Sequence, residues 1–230
     1  MPDEPGLARE AFESIYSRGG WGGLGSGPGS LPYNARPYAT YVADTLRRKA
    51  VRAVVDIGCG DWQMWPAGAF DGVDRYIGFD IVTAVVEKNR AMNRSPKCEF
   101  HVGDATRMPL PPGDLLLCKE VLQHLPNADV YAFLDRATRC YPIVVLCDDI
   151  WMGENSRWRR SAKRLRGLPI ASWVTVNKDI EPGDYRPLDL ALPPFSDLPL
   201  GKRLVYRSSS SARCRTMKAI WSSETAGSRA

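Results

Sequence analysis

The feature that most constrains the fold is an alternation of short apolar segments with helical patterns from about residue 50 to residue 149. The apolar segments are rich in β-branched residues, which is typical of buried strands in a parallel sheet. Apolar residues at helical spacing lie between them, so the pattern predicts β-α-β units with helices on both faces. The predicted strands are residues 52–57, 75–80, 98–102, 114–118 and 142–149, and the predicted helices are residues 7–18, 35–49, 81–94, 120–125 and 128–140.

Two further apolar segments, residues 203–208 and 216–222, are separated by a serine-rich turn without a helical pattern. They predict an antiparallel hairpin that closes one edge of the sheet. The predicted parts of the chain are a helical and glycine-rich cap at 1–50, a core at 51–149, an insertion on the substrate side at 150–202 and the hairpin at 203–230.

The composition, 44% hydrophobic and 25% charged, is typical of a soluble globular protein. No apolar run approaches the about 18 residues that span a bilayer, and the first ten residues do not resemble a signal peptide, so we expect a cytoplasmic protein without a membrane span. The six cysteines form no C-x-x-C pair and indicate neither a disulfide framework nor a metal site. A net charge of +5 does not by itself indicate a nucleic-acid partner, and the oligomeric state stays open.

Acidic residues end three successive predicted strands. The segment VVDIGCGDW contains Asp56-x-Gly58-x-Gly60, in which two glycines allow a ligand to approach a tight turn ahead of an expected helix. Asp80 is placed to accept the two hydroxyls of a ribose, and Asp104 to accept the exocyclic amine of adenine. The three carboxylates together predict a site for a nucleoside without phosphates.

The same turn argues against a dinucleotide. A pyrophosphate favours a full G-x-G-x-x-G turn and a helix N-terminus without negative charge. This chain has Gln63 where that pattern continues, and Asp61 adds negative charge to the turn.

The arrangement resembles the class I S-adenosylmethionine-dependent methyltransferases. The resemblance implies S-adenosylmethionine as cofactor and a Rossmann-like, seven-stranded, mostly parallel α/β sheet with a C-terminal antiparallel hairpin. Trp62 stands where the family often has a third glycine. Beside the carboxylates and glycines, the resemblance implies cofactor contacts for Cys59, Trp62, Ile81, Ala105, Cys118 and Lys119.

A narrower resemblance covers most of the chain. The segments WGGLGSGPGS, DIGCGDW, LCKEVLQHL and NKDIEPGDYRPLDLALPPF are similar to a group of small bacterial methyltransferases that is associated with glycan and natural-product pathways. This resemblance implies no particular substrate.

The glycine-rich segment, residues 21–30, has two interpretations. In the family it resembles, the segment before the first strand commonly folds over the cofactor; Ser26, Gly27 and Ser30 would then contact an anion, with Trp21 as an apolar lid. The alternative is a solvated linker. The interspersed apolar residues, and the lack of a long N-terminal segment to connect, favour the lid.

Two residues after the fourth predicted strand are candidate bases. His124 lies where the family lines the methyl-transfer site, and its imidazole could take a proton from a hydroxyl nucleophile. The alternative is a histidine that binds backbone at a helix start. Glu120 is a second candidate base, and its alternative is a solvated helix residue. His101 lies within the third predicted strand and is expected in the core.

The insertion carries the candidate substrate contacts. Trp151, together with Trp158 and Trp173, could form an aromatic wall, while Tyr185 and Arg186 could close the pocket. Structural ion pairing is the alternative for Arg186. The stretch RWRRSAKRLR is either a solvated helix face or an electrostatic collar for an anionic substrate such as a nucleotide-sugar, a phosphorylated glycan or RNA.

We therefore expect a methyltransferase that acts on a small molecule or glycan, most simply at oxygen. One alternative is an RNA methyltransferase that uses the basic insertion. The other is a non-catalytic module that binds adenosine or its homocysteine conjugate.

Overall fold

A computed structural model of the chain describes residues 6–151, 176–208 and 216–224. Within these ranges the strands are β1 (Ala53–Ile57), β2 (Arg75–Asp80), β3 (Cys98–Val102), β4 (Leu115–Lys119), β5 (Ile143–Trp151), β6 (Gly201–Tyr206) and β7 (Thr216–Glu224). The α-helices are α1 (Leu7–Ser17), α2 (Pro32–Arg48), α3 (Thr83–Met92) and α4 (Asn127–Cys140). No helix in the described ranges is long and apolar enough to cross a membrane.

The strands form one sheet in the order β3-β2-β1-β4-β5-β7-β6. The first five strands pair in parallel, and β7 pairs antiparallel with both β5 and β6. This confirms the predicted mostly parallel sheet with a C-terminal antiparallel hairpin. The strand order reverses between β1 and β4, and open α/β sheets bind their ligands at the carboxyl ends of the strands beside such a reversal.

Helices cover both faces of the sheet, as predicted. Helix α4 packs Val130, Phe133 and Leu134 into the core on one face, and α2 packs Tyr38 and Val42 into the core on the other. Burying an apolar side chain of this size contributes about 1.5–3 kcal/mol to the free energy of unfolding. The two cores cover the middle of the sheet, and the loops at its carboxyl edge are left to form a site.

The helix expected after the glycine turn is absent: residues 58–74 connect β1 to β2 through turns. Pro66 and Gly68 interrupt this segment, and both residues are poor in helix interiors. Trp65 and Phe70 anchor it instead, with their ring centroids 4.9 Å apart in the core under α2. A phosphate-binding helix N-terminus is therefore not present at this turn.

The helix predicted at 120–125 is also wrong. The structure has a short 3-10 turn at Leu122–His124, and Glu120 before it has a positive φ of 57°. A left-handed backbone at Glu120 is incompatible with an α-helix. Pro126 has extended backbone ahead of α4, so the chain changes direction twice within a few residues.

His101 does not belong to the core, contrary to the prediction. Its side chain is 45% exposed, and its Nε2 lies 3.2 Å from Oε2 of Glu99. The reason is that β3 is the last strand at its edge of the sheet, so its side chains are covered less completely.

Candidate active site

Beyond β1 the chain makes a tight turn through Gly58 and Gly60, which have φ values of +69° and +58°. Residues that carry a side chain rarely adopt this backbone conformation. A Cβ at Gly58 would also lie 2.1 Å from Val121, and one at Gly60 would lie 2.5 Å from the hydroxyl of Ser26. Both glycines are therefore required by the backbone and by the close approach of neighbouring segments.

Asp80, at the end of β2, closes this turn. Its Oδ2 accepts a hydrogen bond from the backbone N–H of Gly60, and its Oδ1 accepts one from that of Val82, each at 3.0 Å. Burial raises the pKa of Asp80 to about 6, so the side chain stays ionised at neutral pH. A carboxylate oxygen has two lone pairs, and Asp80 can therefore accept further hydrogen bonds from a ligand.

The turn and Asp80 border a cavity, called the turn cavity from here on, at the carboxyl edge of β1, β2 and β4. Asp104 also lines it; Oδ1 of Asp104 accepts hydrogen bonds from the backbone N–H and hydroxyl of Thr106. Most of the predicted site residues line this cavity: Trp21, Ser26, Ser30, Gly58, Cys59, Gly60, Asp80, Ile81, Asp104, Ala105, Lys119 and Glu120. Helix α1 adds Phe12 and Tyr16, which the sequence analysis missed.

Asp56 does not face the turn cavity, so the predicted convergence of three carboxylates is wrong. Its side chain points to the α2 face of β1, where Oδ2 accepts a 2.7 Å hydrogen bond from the hydroxyl of Tyr76. Burial raises the pKa of Asp56 to about 7. Asp56 precedes the last strand residue, Ile57, and successive side chains of a strand point to opposite faces.

Two more predicted cofactor contacts lie elsewhere. Trp62 packs among Phe70, Tyr76 and Phe100 on the α2 face, with ring centroids 5.5–6.1 Å apart. Cys118 is fully buried in the core on the opposite face, because it is an inner residue of β4. Neither side chain lines the turn cavity.

The glycine-rich segment is packed against the turn, in contrast to a solvated linker. The Ser26 hydroxyl accepts a 2.6 Å hydrogen bond from the backbone N–H of Asp61 and lies 2.8 Å from the hydroxyl of Tyr16. The ammonium of Lys119 donates to the carbonyl of Gly29 at 2.9 Å. These contacts connect α1, the glycine-rich segment, β4 and the turn.

We expect the Gly29→Ala variant to lose about 1–3 kcal/mol of the free energy of unfolding. A Cβ at Gly29 would lie 1.9 Å from Oε2 of Glu120, so either the segment or the carboxylate must move. Denaturant unfolding followed by fluorescence measures the loss. Gly72→Ala is the matched control, because a Cβ there meets nothing within 4 Å; equal stabilities of the two variants would contradict the packing.

A second cavity, called the His124 cavity from here on, adjoins the turn cavity. The two cavities share Trp21, Ser26 and Glu120. The remaining residues that line the His124 cavity are Gly27, Pro28, Gly29, Gln123, His124, Asp149, Tyr185 and Lys218. Gly27, predicted as a cofactor contact, thus borders the second cavity and not the first.

His124 is buried, and both of its ring nitrogens have neighbours. Nδ1 lies 2.8 Å from the carbonyl oxygen of Asp184, which can only accept, so Nδ1 carries the proton. Nε2 then has a lone pair and lies 3.4 Å from Nε2 of Gln123. Burial lowers the pKa of His124 from its ordinary 6.5, and the ring is therefore neutral at pH 7.

Glu120 belongs to a buried cluster of charges. Its Oε1 lies 2.5 Å from the ammonium of Lys119 and 2.8 Å from that of Lys218. Lys218 also contacts Oδ1 of Asp149 at 2.9 Å, and Oδ2 of Asp149 accepts a hydrogen bond from Tyr185. Burial acts to raise the pKa of Glu120, but the two lysines outweigh it and lower the pKa to about 2. A carboxylate this acidic is a weak base.

The predicted substrate contacts divide into two groups. Tyr185 lines the His124 cavity, whereas Arg186 is 2% exposed and donates to the carbonyl of Leu122 and to Oδ1 of Asn127. Arg186 is thus structural, but through hydrogen bonds to neutral groups and not through the ion pairing that was its alternative. Trp151, at the end of β5, lines neither cavity. The basic stretch 157–166, with Trp158 and Trp173, lies outside the described residues.

Three residues of the His124 cavity were not found by sequence reasoning: Gln123, Asp149 and Lys218. Lys218 had a detectable signal, because a lysine within the apolar segment TMKAIWS must find a buried partner. Asp149 is opposite Lys218 in the β5–β7 register, and this pairing is not visible before the sheet is assembled.

Comparisons with known proteins agree with this geometry. Residues 54–141 match the family model described as a methyltransferase domain. No curated protein matches the chain. Among solved structures, magnesium protoporphyrin IX methyltransferase from Synechocystis PCC 6803, with bound S-adenosylmethionine, has a TM-score of 0.60 at 13% identity over 96% of this chain and 97% of that one.

Two other solved structures are similar at the level of the fold. The N-methyltransferase NodS from Bradyrhizobium japonicum WM9, in complex with S-adenosylhomocysteine, has a TM-score of 0.57 at 11% identity, covering 85% of this chain and 89% of that one. A mitomycin 7-O-methyltransferase has a TM-score of 0.54 at 16% identity; 83% of this chain aligns with 54% of that one. At such identities the likeness concerns the fold alone.

The strand order, the glycine turn with its carboxylates and the matched domain define the class I methyltransferase fold. Residues 54–141 are thus a methyltransferase domain, and the fold is that of the S-adenosylmethionine-dependent methyltransferases of class I.

The residues of the turn cavity fit this cofactor. Asp80 has lone pairs available for a sugar, and Asp104 offers a second carboxylate at the neighbouring strand end. Ile81, Ala105 and Leu125 give the cavity an apolar wall for a purine ring. Gly58 and Gly60 bring backbone to the wall of the cavity without side chains of their own.

Proposed function

We propose that this methyltransferase acts on a hydroxyl group of a small molecule or glycan, with His124 as the general base. The observation that carries the proposal is the ring of His124, which has its proton on Nδ1 and a lone pair on Nε2 in a cavity next to the turn cavity. A hydroxyl keeps its proton at neutral pH, so its methylation benefits from such a base.

The cofactor supplies a methyl group that is already activated on a sulfonium and needs no further electrophile. The protein's contribution is therefore to hold the acceptor in line and to remove its proton. Trp21 and Tyr185 offer flat walls to a ring, with their centroids 5.9 and 5.8 Å from that of His124. Within the described residues, the charges of the His124 cavity are arranged as ion pairs, which favours an uncharged acceptor.

The support for oxygen as the acceptor atom comes from His124 and not from the similar structures. The similar structures include enzymes named as O- and as N-methyltransferases, so the fold does not decide between the two. Glu120 fits the role of base poorly, because its two lysine partners keep it ionised far below neutral pH. We assign Glu120 to positioning the ammonium groups of Lys119 and Lys218.

The test is an incubation of the purified chain with S-adenosylmethionine and paired acceptors that differ only in a hydroxyl, an amine or a methoxy group. We expect a mass gain of one methyl on the hydroxyl members, read by mass spectrometry. Methylation restricted to the amines would refute the choice of oxygen. Transfer to RNA with a steep loss at higher salt would favour an RNA methyltransferase, and no transfer to any acceptor would favour a non-catalytic module.

A further inference from the structure

Gln123 has a fixed orientation beside His124. It is 3% exposed, and its Oε1 accepts a 2.8 Å hydrogen bond from the backbone N–H of Asp149. Because that N–H can only donate, the amide oxygen must face β5 and the NH₂ group must face away from it. The NH₂ nitrogen is the atom that lies 3.4 Å from Nε2 of His124.

The two neighbours of the His124 ring therefore select one protonation state. The carbonyl of Asp184 requires a proton on Nδ1, and the NH₂ group of Gln123 requires a lone pair on Nε2. A doubly protonated ring would place an N–H against the NH₂ group, which leaves two donors facing each other. Gln123 thus disfavours the doubly protonated ring and keeps a lone pair, not a proton, on Nε2.

Charged groups also face the ring from other elements. Glu120 and Asp149 favour the protonated ring, whereas burial and the guanidinium of Arg186 oppose it. Lys218 lines the same cavity but is paired with both carboxylates. The carboxylates are therefore largely neutralised, and the contact with Gln123 acts in the same direction as burial.

We propose that Gln123 and His124 form a hydroxyl-selecting pair in the acceptor site. An acceptor hydroxyl donates its proton to Nε2 of His124 and accepts a hydrogen bond from the NH₂ group of Gln123. The observed N···N separation of 3.4 Å is long for a hydrogen bond, so an acceptor oxygen is a better partner for this NH₂ group. This inference rests on the proposed O-methylation and names the residue that makes oxygen the preferred atom.

The pair distinguishes nucleophiles by their donors and acceptors. A hydroxyl has one proton to donate and two lone pairs, whereas an ammonium group has no lone pair to offer Gln123. In the transfer step the O–H bond breaks as an N–H bond forms on His124, and an O–C bond forms as the S–C bond breaks, with its electron pair staying on sulfur. The NH₂ group of Gln123 stabilises the negative charge that develops on the oxygen.

Nuclear magnetic resonance of the histidine rings tests the orientation directly. The chain has two histidines, so a His101→Gln background leaves His124 as the single signal. We expect the pKa of His124 to rise in Gln123→Met, which lacks the NH₂ group, and to rise further in Gln123→Glu, whose carboxylate accepts an N–H from Nε2. Unchanged titration of His124 in both variants overturns the proposal.

Kinetics with the paired acceptors test the selection. We expect Gln123→Met to lower kcat on hydroxyl acceptors by about 10²-fold, while the affinity for S-adenosylmethionine is unchanged. Gln123→Glu retains an oxygen for the N–H of Asp149, so it controls for folding, and its activity is expected to recover as the pH is raised. Variants that lose no activity on hydroxyls overturn the selection. An inactive wild-type protein whose His124 titrates as expected would instead refute the proposed function.

Discussion

Replacing His124 with asparagine is expected to lower kcat by about 10²- to 10⁴-fold and to leave the affinity for S-adenosylmethionine unchanged. An asparagine NH₂ group can still donate to the carbonyl of Asp184, the partner of Nδ1 in the wild type. The variant therefore removes the Nε2 lone pair and retains the hydrogen bond to the carbonyl of Asp184. Single-turnover kinetics measure the first effect, and calorimetry measures the second.

The dependence of kcat on pH provides a second measurement on the same variant. In the wild type kcat should rise with pH through the pKa of His124, because the base must be deprotonated to accept a proton. Burial lowers this pKa from its ordinary 6.5, so the midpoint of the rise should lie below pH 6.5. His124→Asn should lack this rise.

His101→Asn is the matched control for this variant, because His101 is half exposed on the edge strand and lines neither cavity. We expect it to retain wild-type kcat and the wild-type pH profile. If His124→Asn also retained full kcat, the site would act by positioning alone and the proposed base would be wrong.

Lys218→Met is expected to lower the free energy of unfolding by about 3–5 kcal/mol. The side chain of Lys218 is 1% exposed and contacts both Glu120 and Asp149. Glu120 would retain Lys119, whereas the carboxylate of Asp149 would keep, among the described residues, only the hydroxyl of Tyr185. A buried carboxylate without a cation is among the most costly defects in a protein core.

The measurement is denaturant unfolding of Lys218→Met beside Lys202→Met, the matched control on the neighbouring strand β6. Lys202 pairs with Asp189 at a more exposed position and should contribute about 1 kcal/mol or less. Exchanging Glu120 for glutamine in the Lys218→Met background should recover little stability, because the uncompensated carboxylate is Asp149. A loss of under about 1 kcal/mol for Lys218→Met would show that the cluster is not held by this lysine.

The sequence pattern was sufficient to predict the sheet, because strand formation depends on local features that repeat along the chain. Segments such as residues 75–80 and 98–102 became strands with the predicted bounds, since short β-branched runs between breakers have few other ways to bury their side chains. The glycine turn and Asp80 were also predictable, because both lie at strand ends whose position in a doubly wound sheet is constrained by topology.

Predictions failed where the face of a strand or the course of a loop decided the outcome. Asp56 is one residue from the cavity along the chain, yet it lies on the other face of β1 with Tyr76. Cys118 lies on the face of Ile57, which lines the cavity, but it is covered by the core because it is an inner residue of β4. In residues 58–74, aromatic packing against the α2 face replaced the expected helix and removed Trp62 from the site.

The sequence by itself determined the class of sheet, its seven strands and the glycine turn with Asp80, because those features follow from periodicity and from residues with few allowed conformations. Only the tertiary structure decided that Lys218 and Asp149 meet across β5 and β7 and that Gln123 faces His124. These pairs join residues between 1 and 69 positions apart through strand register and side-chain orientation. Such contacts carry no local pattern, because their energy exists only after the sheet has assembled.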